Sequence, residues 1–187
     1  ALLSDLHTAL PDRTGPVSLD GCVLRACALA VQDVAAPEAQ GGAGTAWPIA
    51  LLESAGSGLP VAILRDAHVH SVTTLSDTVS RTRAHASSSQ EDLTTPTLDG
   101  TTALALCLLG HHGVESADPW CPPAFAAVLA VGAAIRKPVV DAQGNLRAGT
   151  VLSLSLGLDP RQMPDPAGAA LLGGIAQRLE TPLRLLV

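Results

Sequence analysis

The chain has 187 residues, 47% of them hydrophobic, with two Trp, one Phe, no Tyr and a formal net charge of −6. That length predicts one domain with a core of Ala, Leu and Val, and leaves little aromatic surface on which bases or sugars stack. The scattered basic residues argue against a phosphate-tracking nucleic-acid surface, and no segment reaches the roughly 18 apolar residues of a membrane span, since Ala124 to Ile135 is too short.

Ala1 to Leu10 reads as the end of a helix, closed by Pro11 and Gly15. From Leu19, apolar residues at Cys22, Val23, Ala26, Cys27, Ala30, Val31 and Val34 keep the spacing of one buried helical face, with Ser18 as cap and Pro37 as stop. Trp47 to Leu52 and Leu59 to Leu64 read as strands of a hairpin around the Gly56 to Gly58 turn. Ser71 to Ala86 is expected as a surface helix, and Ser87 to Thr97 as a polar connection. Thr102 to Leu109 reads as a strand, followed by a loop from Gly110 to Pro123. Ala124 to Val131 and Thr150 to Leu156 are further strands, joined through Lys137 to Arg147 with a turn at Gly144 and Asn145. Ala169 to Leu179 is the closing helix. This order of elements predicts an α/β or α+β sandwich.

Cys22, Cys27, Cys107 and Cys121 lack the paired short spacing of a zinc site and are too sparse for a disulfide framework, so reduced thiols in a reducing compartment are expected. His68 and His70 alternate beyond the strand ending near Asp66; a third metal ligand is not apparent, and surface histidines are the plainer reading. His7 and His85 lie among polar neighbours in helices and carry no signal.

Several blocks resemble the catalytic domain of the dihydrolipoyl acyltransferases of the 2-oxo acid dehydrogenase complexes. Leu59 to Asp66, L-P-V-A-I-L-R-D, is similar to the family's G-L-V-V-P-V-I-R-D, and Gly100 to Gly113 occupies the place of its T-F-T-I-S-N-L-G-x-x-G. Pro119 to Val140 is close to T-P-I-I-N-P-P-Q-A-A-I-L-G-V-G-A-I-R-x-K-P-V-V, with Pro122, Pro123, Ala127, Gly132, Arg136, Lys137 and Pro138 in register. Leu152 to Asp165, L-S-L-S-L-G-L-D-P-R-Q-M-P-D, resembles the family's L-S-L-S-x-D-H-R-x-x-D-G. The resemblance implies a chloramphenicol-acetyltransferase-like fold, a mixed sheet with helices, over residues 1–187.

The departures fall where the family's chemistry lies. Its motif His is the general base that accepts the thiol proton of coenzyme A or dihydrolipoamide, and Pro160 stands there, with no group able to accept a proton. Ungapped, the motif Asp falls on Pro164 and the Gly on Asp165; with one inserted residue, Asp165 takes the place of the Asp. The family's oxyanion-binding serine corresponds to Cys107, a weak donor. Asp159 and Arg161 survive from D-H-R. His111 and His112 follow Cys107 closely and are the fallback bases, the plainer reading being surface or inter-subunit residues.

This pattern is similar to the non-catalytic relatives of the family, the dihydrolipoyl dehydrogenase-binding proteins, also called protein X. The resemblance implies an anchoring domain that forms homotrimers and binds the acyltransferase core of a pyruvate dehydrogenase complex in the mitochondrial matrix. It implies no cofactor in this domain. Because the chain starts without Met inside a helix, it is expected to be a fragment lacking the family's first helix and strand. A lipoyl domain and a subunit-binding domain that meets dihydrolipoyl dehydrogenase are expected outside it. The alternatives are a diverged coenzyme A-dependent acyltransferase with a relocated base, or a bacterial structural subunit.

Overall fold

The computed structural model describes residues 17–35, 47–52, 60–88, 104–141, 143–181 and 185. The segment expected as a helix at Ala1 to Leu10 and the turn at Gly56 to Gly58 lie outside them, as does most of the polar connection.

Helix α1 (Leu19–Ala35) begins where Ser18 predicts, the Gly21 N–H donating to Ser18 Oγ at 3.0 Å. The spacing predicts one buried face, yet every residue from Gly21 to Ala28 is buried. The reason is tertiary: α1 packs on α2 (Val72–Ser88) and α3 (Asp165–Glu180) and shares one core with the sheet, so it needs an apolar circumference. Gly21 admits the close crossing of α2, because a Cβ there would stand 2.8 Å from the Ser76 Cα. Arg25 is the polar exception on α1. Its guanidinium is buried and donates to the backbone oxygens of Leu185 and His68, tying Leu185 and the turn at residues 65–70 to the central helix.

Five strands form one mixed sheet, in the spatial order Pro60–Leu64 (β2), Ile49–Leu52 (β1), Leu104–Leu108 (β3), Ala127–Val131 (β4) and Leu154–Leu158 (β7). Strands β1, β3 and β4 run parallel; β2 pairs antiparallel with β1, and β7 with β4. Alternation sorts the side chains. Leu104, Leu106 and Leu108 join the helix-side core, whereas Ala105 packs with Ala50, Val128 and Phe125 on the other face. The loop between β3 and β4 crosses that region: a Cβ on Gly132 would lie 1.9 Å from the Glu115 carbonyl oxygen, and one on Gly157 2.4 Å from that of Pro119. Glycine at these positions is a packing requirement.

Three sequence readings are corrected. The span from Lys137 to Arg147 is a two-stranded ribbon, β5 (Ile135–Val140) paired antiparallel with β6 (Leu146–Val151). Only its turn was legible, at Gly144 with φ 85°, where Asp141 Oδ1 accepts from the Gln143 and Asn145 N–H groups. The single strand expected from Thr150 to Leu156 breaks at Leu152 and Ser153, with the Ser153 oxygen accepting from the Gly132 N–H. The closing helix starts at Asp165, four residues before the expected Ala169, because Pro166 lies in its first turn, where no N–H is required.

Candidate functional site

The best-organised polar cluster is the turn after β7. Asp159 is 6% exposed, and its carboxylate accepts from the Arg161 N–H at 3.1 Å, Arg161 Nε at 3.0 Å, Arg161 Nη2 at 2.8 Å and Gln162 Nε2 at 3.1 Å. Gln162 Nε2 also donates to the Pro123 and Phe125 carbonyls, at 3.0 and 3.2 Å, fastening this turn to the start of the β4 approach. The Asp159 N–H donates to the Ala126 carbonyl at 3.0 Å. Pro160 sits exposed at the apex, where no hydrogen bond calls on the N–H that proline lacks. The frame of the turn is intact, and its apex carries no ionisable group.

Hydrogen bonds from Arg161 and then Gln162 hold the Asp159 carboxyl well below its ordinary value of 3.8. A depressed folded-state value contributes stability that is present above the unfolded value and is lost as pH falls through it. Urea unfolding midpoints measured from pH 7 to pH 3 are therefore expected to fall below about pH 4. Asp159→Asn is expected to flatten that decline, though Asp141, also lowered through the Asn145 N–H, keeps some of it. An unchanged acid slope in the variant would sink this assignment.

Cys107 is half-buried near the end of β3, level with Ala130 and Ser155 across the sheet. Burial raises its thiol above its ordinary value of 9.0, so it is a neutral, weakly donating group at physiological pH. Cys22 and Cys27 are buried and pushed up to about 12, chiefly by desolvation. All the cysteines are free, as composition predicts.

The structure does not bring the candidate residues together within one chain. Asp159 and Pro160 follow the row Leu104, Ala127, Leu158 at the opposite end of the sheet from Cys107. The separation is roughly 15 Å along the strands and about 10 Å across two strand widths. Asp165 opens α3 beyond the turn.

His111 and His112 are exposed in a 3-10 turn, Gly110–His112, with ring centroids 3.8 Å apart. His111 lines a shallow groove with Leu51, Leu108, Val79 and Arg83, on the helix side. Alternation along β3 points Cys107 to the other side, so the rescued Cys–His pairing is not built in this chain. The strand expected to align His68 and His70 ends at Leu64, and a 3-10 turn, Ala67–Val69, follows. Among the described residues no His, Cys, Asp and Glu cluster could hold a metal, and no helix is long and apolar enough to cross a membrane.

Sequence reasoning missed Gln162 and Arg25. Gln162 lies three residues after Asp159, a turn-like spacing that was the available signal. Arg25 interrupts an apolar helix and could have been flagged as a buried cation seeking backbone oxygens.

The family profile described as 2-oxoacid dehydrogenases acyltransferase (catalytic domain) matches residues 1–187. The chain is 28% identical over 145 residues to the dihydrolipoyllysine-residue acetyltransferase component of the pyruvate dehydrogenase complex from Staphylococcus epidermidis, covering 75% of this chain and 32% of that protein. It thus spans about a third of the length of that curated relative. The fold matches a crystal structure of Azotobacter vinelandii dihydrolipoamide acetyltransferase that addresses the catalytic roles of a serine, a histidine and an asparagine. The TM-score is 0.75 at 18% identity, covering 99% of this chain and 77% of that one. The cubic core of a pyruvate dehydrogenase multienzyme complex matches with the same TM-score, identity and coverage.

Proposed function

The chain belongs to the 2-oxoacid dehydrogenase acyltransferase family, over its catalytic domain, and we propose that here this domain is a non-catalytic anchor in a pyruvate dehydrogenase complex. The observation that carries the proposal is the turn at Asp159 to Gln162. Its carboxylate, guanidinium and amide bond one another and hold a shape, while Pro160 at its apex can neither take nor give a proton.

Acyl transfer between thiols requires a base for the incoming thiol and donors for the oxyanion that forms at the thioester carbon. Pro160 removes the first, and Cys107, a neutral half-buried thiol, weakens the second. The two positions lie at opposite ends of one sheet, so only a second copy could bring such groups near each other. This favours a role in assembly. On this reading the domain forms trimers and docks on an active acyltransferase core. Lipoyl and dihydrolipoyl dehydrogenase-binding functions belong to segments outside residues 1–187, and the compartment is the mitochondrial matrix.

The test is acetyl transfer from acetyl-CoA to dihydrolipoamide by the purified protein. The expected rate is that of the solution without protein. Turnover that disappears on His112→Ala or His111→Ala would replace the anchor with a diverged acyltransferase using a relocated base.

A further inference from the structure

We propose that the groove on the helix side of the sheet, at the carboxyl ends of β1 and β3, is a binding site for a short aliphatic carboxylate. Leu51 lies near the end of β1 and Leu108 ends β3, two parallel neighbours, while Val79 and Arg83 lie one turn apart on α2. His111 reaches the groove from the 3-10 turn that follows β3. Sheets of this kind take small ligands outside the carboxyl ends of their parallel strands. The groove holds about 280 Å³ including its open mouth, just under the roughly 300–1,000 Å³ of pockets for drug-sized ligands, so a smaller molecule fits it.

Floor and rim differ in chemistry, and the ligand class follows from both. Leu51, Val79 and Leu108 are buried beneath the groove, and a chain of methylenes laid over them leaves water. The rim carries a guanidinium and an imidazole. Asp20 Oδ2 accepts from Arg83 Nη2 at 2.9 Å, which holds the half-buried guanidinium beside the floor. A guanidinium fork matches the plane of a carboxylate, so an incoming acid meets the fork that already holds Asp20, with the His111 imidazole lining the same groove. Cations are scarce on this chain, eleven Lys and Arg against seventeen Asp and Glu, so a guanidinium beside an apolar floor is not what its surface offers generally. Inorganic phosphate is the poorer fit, because it has no chain to cover that floor.

The side chain of Cys107 points to the opposite face of the sheet, and Pro160 stands at the sheet's other end. A ligand in the groove touches neither, so its binding goes beyond the anchor reading and is independent of it.

Amide NMR titrations of the purified protein with acetate, butanoate and hexanoate at constant ionic strength test this, with hexanol supplying the tail alone and inorganic phosphate the charge alone. Shifts are expected at the amides around Leu51, Val79, Leu108 and His111. Affinity is expected to rise about fourfold for each methylene that reaches the floor, and hexanol and phosphate are expected to bind about tenfold or more weakly than hexanoate. Arg83→Gln is expected to weaken hexanoate about tenfold and to leave hexanol unchanged, with circular dichroism unaltered. His111→Ala, in an exposed turn where the fold is not at stake, is expected to weaken hexanoate as well. The absence of saturable hexanoate binding overturns the site, as does an affinity left unchanged by both variants or a set of shifts that lies elsewhere on the chain. Hexanol or phosphate binding as tightly as hexanoate overturns the carboxylate as its ligand.

Discussion

Pro160→His alone is expected to leave acetyl transfer within about tenfold of background, whereas Pro160→His with Cys107→Ser is expected to raise it by about 100-fold or more. A positioned general base contributes roughly 100- to 10,000-fold, and one oxyanion donor roughly 100- to 1,000-fold. Groups that act as a unit fail together, so restoring one without the other recovers little. The turn should accept the imidazole, since Asp159 is held by Arg161 and Gln162 and no bond involves a residue-160 amide. The readout is thiol-dependent release of coenzyme A. Full recovery with Pro160→His alone would reduce the change to a single lesion in an otherwise competent site.

Gly132→Val is expected to destabilise the fold by about 3 kcal/mol or more, a large share of a typical domain's 5–15 kcal/mol. Its Cβ would stand 1.9 Å from the Glu115 carbonyl oxygen and 2.6 Å from the Glu115 carbonyl carbon, and both obstacles are backbone. Relief requires moving the crossing loop, which breaks the bond from the Ala133 N–H to Val114, or moving Gly132 itself, which breaks the bond from its N–H to Ser153. Gly173→Ala is the control. A Cβ there meets nothing within 4 Å, and removing a mid-helix glycine is expected to add up to about 1 kcal/mol. Denaturant midpoints separate the two, and equal midpoints would mean that the loop crossing is soft.

Much of the fold was legible because local signals agreed with tertiary demands. Ser18 marked the start of α1, and the apolar runs marked β1, β3 and β4. The ribbon was not legible: Arg136 to Val140 and Leu146 to Thr150 carry mixed polar, proline and glycine content, since neither strand faces a core, and periodicity reports burial. The early start of α3 was hidden by Pro164 and Pro166, which read as breakers although the first turn accepts them.

At the candidate site the residue types were readable and their arrangement was not. Pro160 stood out against a surviving D-x-R, and Cys107 followed by counting back from Gly110. That these positions lie at opposite ends of the sheet depends on strand order and direction, which follow from the antiparallel return of β7 beside β4. The same topology separates Cys107 from the groove that His111 lines, a separation that closeness in sequence conceals.

The most direct measurement is co-sedimentation of the protein with an active acyltransferase core, with acetyl transfer followed in the same fractions. The account predicts that the chain pellets with the core at a fixed ratio while turnover per core subunit stays constant. A chain that remains in the supernatant, or turnover that rises in proportion to the chain added, would contradict it.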